Sequence, residues 1–153
     1  MTLGLLRLLP VLGCLLGAGM VSADELTARL AGEPFILEVA DDAQSRRQGL
    51  MGRNELAAGT GMLFDFPPGI TPVIWMRNMH IPLDLVYLDE QAQITHLFEG
   101  VPPCESMPCA LYRADRPLRF VIEVPAGTIE QLDLQVGQSV DISGREDQPP
   151  PRD

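Results

Sequence analysis

Apolar residues along this chain fall in short blocks separated by Gly, Pro and Asp, and most blocks carry the two-residue alternation of a strand or form a brief continuous apolar run. Phe35 to Ala40, Met62 to Phe66, Val73 to Met76, Leu83 to Leu88, Gln93 to Phe98, Leu118 to Val124 and Gln138 to Ile142 each read as a strand. Pro67-Pro68-Gly69 and Pro125-Ala126-Gly127 stop two of them, and Asp89 to Ala92 supplies a hairpin turn. Only two segments suit helices. Asp41 or Asp42 can cap a short one from Ala43 to Met51, and Thr128 can cap one or two turns reaching Leu134. The pattern predicts a mainly β protein, a compact jelly-roll-like sandwich or barrel of about six to eight strands with one or two short helices.

The first residues are a different material. Arg7 is followed by the apolar run Leu8 to Met20, which is shorter than a membrane span, and then by small residues at Val21-Ser22-Ala23. This order predicts a signal peptide over residues 1–23, a single β-rich domain over 24–143 and a disordered tail over 144–153. The expected location is periplasmic or secreted, with no membrane attachment after cleavage; a lipoprotein signal ending at Cys14 is the alternative. Loss of Cys14 leaves Cys104 and Cys109, a close pair expected to be a disulfide in an oxidising compartment. Closing so small a loop contributes about 2 kcal/mol, so the bond shapes a loop more than it holds the fold. A catalytic redox pair would have two intervening residues, and here there are four, including Pro108.

Charge removes whole classes of partner. All 11 basic residues are arginine, against 21 acidic ones, giving a net charge of -10. Arg46-Arg47 is the longest basic run, so binding to nucleic acid is not expected.

Spaced blocks then point to a family. Arg47-x-Gly49-Leu50-Met51-x-Arg53-x-x-Leu56, Gly61-Met62-Leu63-Phe64-x-Phe66, Trp75-Met76-Arg77-Asn78-x-x-Ile81-Pro82-Leu83-Asp84 and Glu123-x-x-Ala126-Gly127 follow Glu38-Val39-Ala40 in order. Together they resemble the bacterial and archaeal domain-of-unknown-function 192 family, from about Phe35 to Ile142. The resemblance implies a compact, often exported β-rich domain and assigns no activity. Met79 stands where the family commonly has threonine, and Gly137-Gln138 where it commonly has Gly-Asp.

The densest chemistry lies between Trp75 and Asp84. Trp75, Arg77, Asn78 and Asp84 form the candidate ligand-binding set, because an indole beside a guanidinium holds a sugar, a carboxylate or a peptide of a small-molecule or protein partner in the cell envelope. The bland alternative puts Trp75 and Met76 in the core, Asn78 in a turn and Asp84 against an arginine or backbone donors, with Arg47, Arg53 and Arg77 as the candidate arginines. An envelope hydrolase acting on a glycan-type substrate would use Asp84 with Glu38 or Glu123 as paired carboxylates. Met76, Met79 and His80 offer soft ligands for copper in a third reading. A Ser106, histidine and Asp84 triad would be arbitrary, because neither His80 nor His96 lies in a recognisable motif. No cofactor is implied, and the residues leave open whether there is catalysis.

Overall fold

A computed structural model of the chain describes residues 26–144 and 150–152. The predicted signal peptide and most of the predicted tail lie outside the described residues.

Nine strands and two short helices follow one another as β1 Thr27–Leu30, β2 Glu33–Ala40, α1 Ala43–Gln48, β3 Thr60–Asp65, β4 Val73–Trp75, β5 Leu83–Leu88, β6 Ile94–Val101, β7 Leu111–Arg113, β8 Phe120–Pro125, α2 Thr128–Leu132 and β9 Asp141–Ser143. Seven strands form one sheet in the order β6-β5-β8-β3-β2-β1-β9, and β4 and β7 make a small second sheet. All neighbours are antiparallel except β2 and β3, which run parallel with α1 in their connection. The large sheet curls on itself. Ile94 N–H donates to the Gln138 carbonyl and Val140 N–H to that of Ala92, so the stretch before β9 meets the β5–β6 hairpin. The mainly β expectation therefore holds, as a curled half-barrel with a small sheet laid beside it.

Both faces of the central strands are buried. Val86, Leu88, Phe120, Ile122 and Val124 pack inside the curl with Leu30, Leu63 and Ile129. Leu83, Leu85, Tyr87 and Val121 point the other way, onto Leu50, Phe64, Ile74 and Met76. This explains why β5 and β8 read as continuous apolar runs. Each fully buried Leu or Phe contributes about 2 kcal/mol, so these two layers far outweigh the Cys104–Cys109 disulfide, which is present with a Cα separation of 5.5 Å.

Helix α1 covers the second face where it meets β3 and β4. Asp42 caps it, its carboxylate accepting from the N–H groups of Gln44 and Ser45 at 2.8 Å each, while Ser45 Oγ accepts from Asp42 N–H. The helix ends at Gly49, where φ is +46° and an added Cβ would stand 3.1 Å from the Phe64 ring. Glycine thus lets the helix end sit on Phe64. Of the predicted tail, Arg152 is described: its N–H donates to the Asp41 carbonyl at 2.7 Å, and its own carbonyl accepts from Arg46.

Candidate functional site

A crevice opens between α1 and β4. Its outer part, about 300 Å³, is lined by Gln44, Arg47, Gln48 and Met51 on one side and by Trp75, Arg77 and Asn78 on the other. The loop after α1 is tied to the Trp75 side because Gly52 N–H donates to the Asn78 carbonyl at 3.0 Å. Asn78 adopts φ +56°, a conformation asparagine tolerates, and so turns the chain back after β4. Trp75 is half-buried, with the Arg77 guanidinium carbon 5.4 Å from its ring centre. A narrow inner part of about 60 Å³ shares Arg47, Gln48, Met51 and Trp75 and continues to Phe64, Met79 and Glu123.

Glu123 is the unexpected member. It lies on β8 in register with Met62 of β3 and Leu85 of β5, is 4% exposed, and its side chain makes no hydrogen bond to the described residues. Burial pushes its pKa up to about 8, so the side chain is neutral at pH 7. Tyr87, on the same face of β5, is raised by burial and by the charge Glu123 would carry; its hydroxyl donates to the Tyr112 carbonyl at 2.8 Å.

The arginines divide sharply. Arg53 makes a two-pronged pair with Glu38 at 2.5 and 2.6 Å, which holds the Glu38 carboxyl below its ordinary range, and Arg119 grips buried Asp65. Arg116 and Arg152 also lie against carboxylates. Arg29, Arg46, Arg47, Arg77 and Arg113 make no ion pair among the described residues; Arg29 and Arg46 donate to backbone carbonyls, and Arg47 and Arg77 line the outer crevice.

The structure therefore brings together three of the four residues picked from sequence, Trp75, Arg77 and Asn78, and separates Asp84 from them. Asp84 is fully buried on the opposite face of the sheet, accepting from Gly100 N–H at 2.7 Å and from Ile129 N–H at 2.8 Å. Of the two kinds of partner expected for an inward Asp84, arginine or backbone donors, the structure shows backbone donors. With both oxygens so engaged, Asp84 cannot join Glu38 or Glu123 as a hydrolytic pair, nor orient a histidine. Glu38 is bound to Arg53.

Met76 and Met79 are 2% and 8% exposed within the core, whereas His80 is exposed with Nδ1 2.8 Å from Asn54 Oδ1. Among the described residues no group of three or more His, Cys, Asp or Glu could hold a metal. Beyond the family blocks and the basic run, Arg47 had a role in the sequence reading only as a partner for Asp84, and Glu123 only as one of its acid partners. A single acid within the apolar strand Leu118 to Val124 was the available signal.

Two other hollows lack comparable chemistry. A larger open groove of about 710 Å³ is lined by Glu33, Phe35, Pro125, Gly127 and Thr128 among others. Its walls hold no arginine, and Thr128 Oγ is spent on the Pro125 carbonyl at 2.6 Å. The hollow over the disulfide loop, about 320 Å³, has Glu105 as its one charged wall.

Fold and site together define a curled-sheet β domain with an arginine-flanked crevice on the outer face of its sheet. The chain belongs to the DUF192 family, described as "Uncharacterized ACR", whose model matches residues 26–142. A crystal structure from Sinorhizobium meliloti 1021, titled a "putative transcription regulator", is similar at 32% identity and TM-score 0.72, covering 82% of this chain and 99% of that one. A protein of unknown function from Novosphingobium aromaticivorans DSM 12444 is similar at 27% identity and TM-score 0.69, covering 76% and 83%. No curated protein matches the chain.

Proposed function

We propose that this protein is an exported binding domain whose α1–β4 crevice captures the carboxylate of a small molecule or peptide. One observation carries the reading. In a chain of net charge -10, Arg47 and Arg77 line the crevice with no ion pair or hydrogen bond to the described residues, Arg47 from α1 and Arg77 beside the sole tryptophan. A guanidinium matches a carboxylate with two parallel hydrogen bonds, and the Trp75 ring offers a flat apolar wall for the group attached to it. A hollow of about 300 Å³ is at the small end of ligand sites, so a compact ligand or one peptide end fits it. The export component is supported by the leader-like start and the Cys104–Cys109 pair. The regulator title belongs to the Sinorhizobium protein; the acidic charge of this chain opposes a nucleic-acid backbone.

Trp75 emission reports directly on the site. Acetate, succinate and phenylacetate are titrated against the protein, and at least one is expected to change the emission saturably. Arg47→Ala should weaken that ligand about tenfold or more, the worth of a lost charge-assisted hydrogen bond. A flat response to all three, or equal affinity in Arg47→Ala, overturns the reading.

A further inference from the structure

We propose that Glu123, in its protonated form, donates a hydrogen bond from the inner wall of the crevice to the carboxylate held by Arg47 and Arg77, so that the site selects an oxyanion and releases it as Glu123 loses its proton. The inference rests on the carboxylate-binding reading above and deepens it.

Geometry comes first. Glu123 is the only acidic side chain among the walls of either part of the crevice. It is nine-tenths buried, yet its oxygens are not sealed inside the protein, since no fully buried side-chain oxygen or nitrogen is left without a partner among the described residues. Its unmade hydrogen bond is therefore aimed into the crevice.

The surroundings decide the protonation state that matters. Arg46 and Arg47 face the crevice from α1, and Arg77 stands at its mouth beyond β4. Arg46 is already bound to the Asp65 and Arg152 carbonyls. From β5 comes Tyr87, itself held protonated; β3 contributes uncharged Met62 and Phe64; β2 places Glu38 on the same face, neutralised by Arg53. Burial raises Glu123, and no arginine offsets it. A charged Glu123 would repel the anion that the arginines attract, whereas the neutral acid supplies a third donor. An ammonium ligand is the less favourable occupant, because two charges would have to be desolvated in about 60 Å³.

Two readouts test this on the intact protein with phenylacetate as the probe. Trp75 emission gives affinity, and carbon NMR of labelled glutamate carboxyls gives the titration of Glu123. Wild-type affinity is expected to fall about tenfold from pH 7 to pH 9, and bound probe should move the Glu123 titration to higher pH. Glu123→Gln keeps an N–H donor at every pH, so its affinity should stay level over that range. Identical pH profiles for wild type and Glu123→Gln overturn the inference, as does a Glu123 titration unmoved by a probe that changes Trp75 emission. A Trp75 emission unmoved by any carboxylate overturns the binding reading, and this inference with it.

Discussion

Asp84 and Glu123 lie on adjacent strands, one register step apart, and face opposite sides of the same sheet. Asp84 pairs with Val124 across the β5–β8 ladder, while Glu123 pairs with Leu85. Asp84 consequently reaches the interior of the curl, where the Ile129 N–H at the start of α2 and the Gly100 N–H in β6 receive it. Glu123 reaches the α1 side and finds no donor there. One carboxyl is held by backbone donors, and the other has no hydrogen-bond partner among the described residues.

Replacing Asp84 by alanine strips the buried Ile129 N–H and the part-buried Gly100 N–H of their acceptor, and urea unfolding should show a loss of about 2 kcal/mol or more. Where that variant is still folded, its Trp75 emission should respond to carboxylates as wild type does. An Asp84→Ala protein that is stable but blind to ligand would return Asp84 to the site.

Glu123 sets a pH dependence of stability with a definite sign. Its folded value is raised from 4.5 to about 8, so between those limits the folded chain holds a proton that the unfolded chain releases. Stability from this group is therefore full below about 4.5 and declines as pH rises toward 8, with a slope of at most about 1.4 kcal/mol per pH unit. Glu38, whose pKa is lowered, acts in the opposite sense and only at more acidic pH. Denaturant unfolding at several pH values should show Glu123→Gln gaining on wild type as pH rises from 5 to 8. A constant difference between the two would contradict a buried neutral acid.

Two ion pairs should differ several-fold in worth. The side chains of Asp65 and Arg119 are 7% and 17% exposed, so Asp65→Ala strands a half-hidden guanidinium and should cost about 3–5 kcal/mol. Arg53 and Glu38 are 37% and 54% exposed, and solvent screening should hold the cost of Arg53→Ala below about 1 kcal/mol. Comparing the two unfolding midpoints checks the order.

Gly61 allows β2, β3 and β8 to lie together. A Cβ there would overlap the Glu123 carbonyl and press on Leu37 and Val124 at 3.0 and 3.2 Å. Backbone cannot swing aside as a side chain can, so Gly61→Ala should cost about 1–3 kcal/mol and shift β8. The Glu123 carboxyl resonance should move in this variant while the Cys104–Cys109 bond stays intact.

Much of the architecture was legible locally. Leu83 to Leu88 was read with the bounds the structure shows, and Asp42 caps α1 as one of two acids proposed for it. Two strands were missed, Thr27–Leu30 and Leu111–Arg113. Each has four residues or fewer, too short for alternation to declare itself, and each is extended because a partner strand pairs with it.

The sequence by itself determined what depends on neighbours along the chain: where most strands lie, that Asp42 is among the acids able to cap α1, that two cysteines close a small loop, and the family resemblance; at α2 the N-cap is Gly127 and not the expected Thr128. It also placed Trp75, Arg77 and Asn78 together, since three residues around one turn have little freedom to part. Which face of the sheet received each acid was decided only by the tertiary structure. β5 and β8 are apolar on both faces, so period-two alternation in them has no polar side to mark inside from outside. The packing of α1 against β3 and β4 then carried Arg47 to Trp75 and left Glu123 at the inner end of the crevice, contacts made across the sheet by residues far apart in the chain.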